Sequence, residues 1–427
     1  MRFLGKIKYI LIMALALGFG LAREILIASH YGLSAQLDAY AAVLGFYIFF
    51  GNQIANTLET TFISRYAHED TDVLVNKLFG AQLGLLIVIS TLCVALYFLA
   101  DQLVGIVFKF ESSQLALSAK IIRLFIPAMF LASFIGLFRA VLNIKGIYAP
   151  GFFYGSVVSL SVIVVMLLFY NDLGIYALPL GYAIGNFFTL LLFIYYLFKK
   201  VAKNFNIRSI KITKPFSIWL FAILVLIAEV IFQCSYLTER SIASRFGEGS
   251  VSAYFYAVSI LMVFSALIIQ PVSTIVFPVI ARKRREDAKA ARIFVLRVCL
   301  VMSVLGVVAA CIMFYLSPFV VEVLLVRGNF SHDDAMRTSA LLKIMVFILP
   351  FMSVSRVIKN SLYSKGSYRL PIFSNLVCWL SLFVSAPFFI EQYGIEGLAM
   401  AYVLSTALVP LIMSINFFST AKKEVVS

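Results

Sequence analysis

"REILIASHYG" (residues 23–32) and "TERSIASRFG" (residues 238–247) are two copies of one phrase in a single chain, 215 positions apart. Half of their positions are identical: Glu24/Glu239, Ile27/Ile242, Ala28/Ala243, Ser29/Ser244 and Gly32/Gly247. Each copy stands at the end of an apolar run. A charged phrase that recurs in this way predicts a duplicated chain, in which the first helix of each half ends at the phrase.

The composition predicts that the solvent around this chain is lipid. Of 427 residues, 62% are hydrophobic and 13% are charged, and the mean hydropathy is +1.00. Soluble domains are about 45–50% apolar and about 25% charged, so a soluble core would not hide this much apolar surface. The net charge of +15 would also suit a nucleic-acid-binding protein. However, the basic residues lie in short gaps between apolar runs, which is typical of membrane topology.

Apolar runs of about 20 residues predict an all-α polytopic membrane protein with about twelve transmembrane helices. With the N-terminus inside, the gaps on the cytoplasmic side hold 23 Lys and Arg residues and the opposite gaps hold six. This asymmetry predicts an even number of spans and both termini in the cytoplasm. The predicted spans are 8–29, 39–63, 78–100, 121–142, 150–170, 174–198, 216–238, 251–279, 293–316, 339–361, 370–390 and 394–420.

The duplication extends beyond the opening phrase. At an offset of 220, "KGIY" (145–148) matches "KGSY" (365–368), and Gly174 matches Gly394. We therefore expect two six-helix halves, 1–205 and 206–427, joined by the basic segment 199–214. Because six is even, the halves are parallel repeats, and such repeats commonly enclose a central cavity. A symmetric bundle without a cavity is the alternative.

Two further features of the sequence, its apolar start and its five cysteines, are better explained by membrane topology and packing than by a cleaved signal or a metal site. The start "MRFLGKIKYILIMALALGFGLA" resembles a signal peptide, but the phrase that follows it recurs mid-chain, so we expect a retained first helix. The five cysteines (93, 234, 299, 311 and 378) all fall within spans at no metal-ligand spacing. They are predicted to pack as small apolar residues, and no metal site is predicted.

Polar residues within the spans are the candidate site, because burying them in lipid is costly. Asn52, Asn56 and Glu59 recur at i, i+4 and i+7, which predicts one polar helix face. Glu229 and Gln233 are likewise four residues apart. Such a stripe either lines a cavity or joins helices. Other cations near span ends are expected only to reach the membrane surface: Arg139, Arg297 and Lys343.

Arg23 and Arg240 are predicted to lie at similar depth, at the outer ends of the first helices of the two halves. A guanidinium fork suits phosphate oxygens, so an arginine pair facing a cavity would bind a phosphate group. The neighbouring acids Glu24 and Glu239 give the alternative, in which each Arg–Glu pair only neutralises itself.

The sequence resembles a known family. "GFGLAREILIASHYGLSAQLDAY" (18–40) is similar to the start of the lipid II flippase family MurJ, also called MviN. The resemblance continues, in order, through "VLNIKGIYAPGF" (141–152), "IASRFGEGSVSAYFYA" (242–257), "STIVFPVIAR" (273–282), "LLVRGNFSHDDAMRTSALL" (324–342) and "SLYSKGSYRLPI" (361–372). It covers essentially the whole chain and implies the fold of the multidrug/oligosaccharidyl-lipid/polysaccharide (MOP) exporter superfamily.

The resemblance also implies residue roles. Arg23 matches a family arginine expected to contact a lipid-linked diphosphate, and Asp38 matches a family aspartate. Other family arginines do not carry over, since Leu17, Gly51 (or its neighbours) and Ser259 stand in their places. The two C-terminal helices that the family usually adds, associated with a groove for the lipid tail, are not among the predicted spans.

These observations favour a flippase that moves an undecaprenyl-diphosphate-linked sugar intermediate across the membrane by alternating access. Its cargo would be lipid II-like, for peptidoglycan biosynthesis, or a surface-polysaccharide repeat unit. Arg23 and Arg240 would hold the diphosphate, while Asn52, Asn56 and Gln233 bond the sugars. Coupling to a proton, sodium or the membrane potential is expected, with no other cofactor and with other glycan-biosynthesis proteins as partners. The acids expected to couple transport or to balance charge are Glu24, Asp38, Glu59, Glu229 and Glu239.

Two other function classes are compatible with parts of the sequence. A MATE-like cation-coupled drug exporter would have a cavity of carboxylates and aromatics, against which the intramembrane arginines argue. A membrane glycosyltransferase or polymerase would need a catalytic carboxylate pair. "HDDAMR" (332–337) is such a cluster, but Asp333 and Asp334 are expected to cap a helix. With no Walker motif in the sequence, we expect that the chain is not an enzyme.

Overall fold

The structure, a computed structural model, describes residues 2–202, 219–286, 288–363 and 369–424, and in these ranges every regular element is helical. The predicted all-α class is therefore confirmed for them. The linker residues 203–214 and "KGSY" (365–368) lie outside the described residues. The described α-helices are α1 Arg2–Tyr31, α2 Ala35–Tyr47, α3 Ile54–Tyr66, α4 Thr71–Val107, α5 Ser112–Ile144, α6 Ala149–Leu173, α7 Ala177–Tyr196, α8 Trp219–Ala243, α9 Ser250–Glu286, α10 Ala288–Leu325, α11 His332–Met345, α12 Ile348–Tyr363 and α13 Arg369–Glu424.

Six described ranges are long and apolar enough to cross a membrane, and a seventh forms if α11 and α12, bent by 47° at their junction, count as one span. Two of the six are double-length and contain a sharp break, so they hold two predicted spans each. The predicted count of twelve stays a prediction. The six ranges are Thr71–Val107, Ser112–Ile144, Ala149–Val201, Ser250–Leu267, Ala290–Leu325 and Arg369–Ile415.

The breaks in the two double-length ranges have the same backbone geometry. Gly174, after α6, has φ 54° and ψ −132°, and Gly394, within α13, has φ 58° and ψ −137°. Glycine adopts positive φ at no steric cost, whereas a side chain would be strained there. The two glycines are matched at the offset of 220, so the backbone supports the predicted duplication.

Both copies of the repeated phrase end at a glycine with positive φ. Gly32, directly after α1, has φ 53°, and Gly247, shortly after α8, has φ 83°. A glycine with positive φ just past a helix is a common helix stop. The repeated phrase is therefore the C-terminal end of a helix in each copy, as predicted.

The described chain forms two compact units. One comprises residues 1–27 and 35–233, and the other comprises residues 28–34 and 234–427. The predicted boundary between residues 205 and 206 stays a prediction.

In the first unit, α5 packs against α2, α3, α4 and α7. Its Gly136 lies directly against the backbone of Ala55, at a spacing that leaves no room for a Cβ atom. This close approach brings the polar side chains of α3 and α5 within reach of each other. Around it lies an apolar core that includes Leu58, Phe62, Leu78, Leu137 and Phe193, all fully buried.

In the second unit, the end of α1 is held by the loop between α10 and α11. The backbone N–H of Asn329 donates to the carbonyl of Ser29 (2.8 Å), and its side-chain Nδ2 donates to the carbonyl of His30 (2.6 Å). Gly328, with φ 58°, packs directly on the backbone of Ser29. Because the last carbonyls of a helix lack intrahelical partners, this loop supplies what the end of α1 requires.

Candidate functional site

A wide helical turn precedes the polar stripe on the second predicted span. Residues Ile48–Gln53 form a π-helix between α2 and α3, and such turns often occur at functional sites. Two carbonyls, one just before this turn and one within it, accept bonds from side chains. The carbonyl of Gly45 accepts from Gln233 Nε2 (2.9 Å), and that of Phe50 accepts from Ser133 Oγ (2.8 Å). Gln233, predicted to bond sugars, is buried and ties α8 to α2; its role in sugar binding stays a prediction.

The stripe itself is paired with α5 through Arg139. Arg139 Nε donates to Glu59 Oε2 (2.5 Å), and Nη2 donates to Asn56 Oδ1 (2.5 Å). Asn143 Nδ2, one turn further along α5, donates to the other oxygen, Glu59 Oε1 (2.7 Å). The side chains of Arg139 and Glu59 are 17% and 15% exposed, whereas Asn56 is exposed.

This arrangement adds a contact that was not expected. Arg139, expected only to reach the membrane surface, forms an ion pair with Glu59. The reason is electrostatic, because two opposite charges removed from water are far less costly together than either is alone. Arg139 and Asn143 are spaced i, i+4 and therefore share a face of α5, which was the available sequence signal.

Asn52, at the π-turn, contacts a different helix. Its Oδ1 lies 2.8 Å from the hydroxyl of Tyr154 on α6, and that hydroxyl is also 3.2 Å from Asn186 Oδ1 on α7. Asn186 is fully buried, and its Nδ2 donates to the hydroxyl of Tyr47 (3.0 Å). A chain of polar groups thus runs through four helical segments of the first unit. Tyr154 and Asn186 were not among the predicted site residues.

Arg23 lies on α1 next to aromatic rings. Its Nη2 donates to Glu24 Oε1 (2.5 Å), and its Cζ lies 5.3 Å from the centre of the Tyr182 ring. The hydroxyl of Tyr182 is 3.4 Å from that of Tyr40. Arg23 is therefore neutralised by Glu24 in this structure, which is the alternative given above. Its predicted role in diphosphate binding is untested and stays a prediction.

The corresponding residues of the second unit are buried. Glu239 and Arg240 are 2% and 5% exposed. Glu239 Oε2 accepts from the hydroxyl of Tyr254 (3.2 Å), and Arg240 Cζ lies 4.5 Å from the ring centre of Tyr236. Cation–π contact stabilises a partly desolvated guanidinium.

The two remaining acids of the predicted site, Asp38 and Glu229, lie on α2 and α8. Asp38 is fully buried in the first turn of α2, where the helix dipole favours an acid. Glu229 is on α8, but its side chain is outside the described part of the chain. Among the described side chains, no group of three or more His, Cys, Asp or Glu residues could hold a metal ion.

The acidic cluster "HDDAMR" has a structural role. The side chain of Ser331 accepts from the backbone N–H of Asp334 (3.1 Å), and Asp334 Oδ2 accepts from the backbone N–H of Ser331 (3.0 Å). This reciprocal pair is a capping box. The prediction that the acids cap a helix is confirmed for Asp334.

Comparison with known proteins identifies the family. The family described as "Lipid II flippase MurJ" matches residues 27–424. The chain belongs to the MurJ family. Membership places it among membrane transporters, so the expectation that it is not an enzyme is confirmed.

Individual relatives agree. The probable lipid II flippase MurJ of Aquifex aeolicus is 24% identical over 91% of this chain and 78% of its own length. The probable lipid II flippase MurJ of Vibrio cholerae is 26% identical, with the same two coverages.

Solved structures show the fold. A lipid II flippase MurJ in an inward closed conformation matches with a TM-score of 0.78 at 19% identity, over 96% of this chain and 87% of its own. An inward-facing multidrug resistance MATE transporter of the MOP superfamily matches with a TM-score of 0.78 at 15% identity, over 95% of each chain. The chain is thus an all-α membrane protein with the MOP exporter fold, as predicted.

Proposed function

We propose that this chain is a flippase that moves lipid II, a polyprenyl-diphosphate-linked sugar intermediate of peptidoglycan biosynthesis, across the bacterial cytoplasmic membrane. The family match over residues 27–424 carries the proposal, since the relatives bear that activity in their names. Alternating access by parallel repeats is part of it. The matches to MATE transporters concern the fold alone, so they give no separate support to a drug exporter.

The proposed diphosphate ligands are Arg23 in the first unit and Arg240 in the second. Both are buried or nearly so and both carry a guanidinium fork, which can bond two phosphate oxygens at once. Glu24 holds Arg23 in this structure, so a diphosphate would have to displace that carboxylate. Asn52, Asn56 and Gln233 remain the proposed sugar contacts.

Coupling and topology complete the proposal. A proton, sodium or the membrane potential would drive the cycle, and Asp38, Glu59 or Glu229 would carry the proton or balance charge. Both termini would lie in the cytoplasm. Other envelope-glycan biosynthesis proteins would supply or consume the cargo.

Complementation tests this function. A bacterium depleted of its essential lipid II flippase is made to express this chain, the Arg23→Ala variant or the Arg240→Ala variant at equal membrane levels. Rescue by the wild type and loss of rescue in both variants is expected. Arg297→Ala is the matched control, because Arg297 is exposed on α10 and should rescue fully.

Either other result would be informative. Rescue by both buried-arginine variants would show that these arginines do not hold the diphosphate. Failure of the wild type, with confirmed membrane expression, would contradict lipid II as the cargo. A deletion strain would then be examined for loss of surface polysaccharide, the alternative cargo with the same diphosphate chemistry.

A further inference from the structure

We propose that Arg139 is a further diphosphate ligand and that Glu59 occupies its guanidinium until the cargo arrives. This inference rests on the proposed function and deepens it. It concerns a group contained within the first unit, comprising Asn56 and Glu59 on α3 and Arg139 and Asn143 on α5.

The bonds of Arg139 leave part of its guanidinium available. Nε and Nη2 donate to Glu59 and Asn56, whereas Nη1 donates to no side chain or carbonyl in the described part of the chain. A guanidinium has five N–H donors in a fixed planar fork. A phosphate can therefore bind at Nη1 before the bond to Glu59 breaks, and the exchange can proceed in steps.

This group keeps part of its surface exposed. Arg139 and Glu59 retain 17% and 15% side-chain exposure, while the apolar residues beside them, Leu58 and Leu137, are fully buried. Asn56, on the same helix as the buried Leu58, is exposed. Polar side chains at membrane depth face a water-filled space or the bundle interior rather than lipid. The guanidinium is thus accessible to a charged headgroup that arrives through water.

The charges favour an exchange. A lone buried arginine would be costly, and Glu59 offsets that cost while the site is empty. A diphosphate carries more negative charge than one carboxylate and offers more oxygens in bidentate geometry. Once released, Glu59 keeps the bond from Asn143 to Oε1, so the carboxylate is not left without a partner. Glu59 is therefore a positioning residue and Arg139 a binding residue.

A matched ion pair on the same helix provides the control. Arg123, also on α5, forms an ion pair with Asp101 on α4 and lies over the ring of Tyr97 (5.5 Å). This pair also joins an arginine to a carboxylate, but Asp101 is 63% exposed, and in the described part of the chain Arg123 bonds only to Asp101 and to the carbonyl of Tyr97. Its substitution should leave diphosphate binding unchanged.

The experiment measures binding of farnesyl diphosphate to the purified full chain in detergent, with farnesol as the uncharged control. Arg139→Gln should weaken binding at least about tenfold, because a charge-assisted bidentate contact is lost. Arg139→Lys should weaken it less, because lysine keeps the charge but lacks the fork. Glu59→Gln should tighten binding about threefold or more, because it removes the competing charge while keeping the size. Arg123→Gln and Asp101→Asn should stay within about twofold of the wild type.

Each outcome decides the question. Tighter binding by Glu59→Gln supports the inference, because a merely structural ion pair would not yield a gain and misfolding would produce a loss. Unchanged binding by Arg139→Gln, or unchanged or weaker binding by a Glu59→Gln variant that keeps the wild-type thermal midpoint, overturns it while leaving the proposed function intact. Equal competition by phosphatidylglycerol would assign the site to an ordinary phospholipid headgroup and overturn the diphosphate assignment. Absence of farnesyl diphosphate binding to the wild type would overturn both proposals.

Discussion

Gly136→Ala tests the close approach of α3 and α5 that assembles the candidate site. A Cβ atom at this position would lie 2.7 Å from Ala55 Cα and 2.5 Å from its carbonyl carbon. Carbon atoms in contact prefer about 3.5–4.0 Å, so the two helices must separate by about 1 Å. Overpacking of this kind costs about 1–3 kcal/mol.

The same displacement would affect the ion pair one turn away. A shift of about 1 Å would lengthen the Arg139 Nε to Glu59 Oε2 distance from 2.5 Å beyond the usual range of a hydrogen bond. We therefore expect Gly136→Ala to lower both the thermal midpoint of the detergent-purified protein and its rescue of a flippase-depleted strain.

Gly155→Ala is the matched control for this substitution. Gly155 lies on α6, and a Cβ there would meet nothing within 4 Å. Alanine is favoured over glycine in a helix by up to about 1 kcal/mol, so this variant should be as stable as the wild type or more so. If Gly136→Ala matched it in thermal midpoint and in rescue, the inferred close packing of α3 on α5 would be wrong.

Three other perturbations follow from backbone features. Gly174→Ala and Gly394→Ala should each lower stability by about 1–3 kcal/mol, and by similar amounts, because both positions have nearly the same positive-φ geometry. Melting temperatures that shift unequally in the two variants would argue that the two positions are not equivalent. Asn329→Ala should lower the melting temperature by removing the donor to the His30 carbonyl, at about 1–3 kcal/mol, whereas an unchanged midpoint would show that the contact is dispensable. Ser331→Ala should cost about 1 kcal/mol through loss of the α11 cap, and Ser331→Asp, which keeps an accepting oxygen, should restore most of it.

Local and periodic features could be predicted from the sequence. The offset of 220 matched Gly174 with Gly394, and their equal backbone geometry agrees with it. The acids of "HDDAMR" were expected to cap a helix, and Asp334 does so. These features depend on residues near one another in the chain or on a repeat, both of which a single sequence displays.

The partners of the polar residues were not predictable in the same way. Glu59 and Arg139 are 80 positions apart, and nothing local marks them as neighbours. Arg139 was expected only to reach the membrane surface, from its place near a predicted span end, and its contact with α3 depends on the close packing of Gly136 against Ala55. A polar side chain can bond only to a partner that the packing of the helices brings near it, and that packing is not visible in the local sequence.

The π-turn at Ile48–Gln53 acts on the helix as a one-residue insertion. In a regular α-helix an added residue rotates everything that follows by about 100° around the helix axis, and the wider turn absorbs that rotation. The side chains of Asn56 and Glu59 therefore point toward α5 because of the backbone hydrogen bonding upstream, and not because of the spacing of apolar residues alone. Winding the same residues as a regular α-helix would rotate Glu59 by about 100° away from Arg139 without altering either side chain.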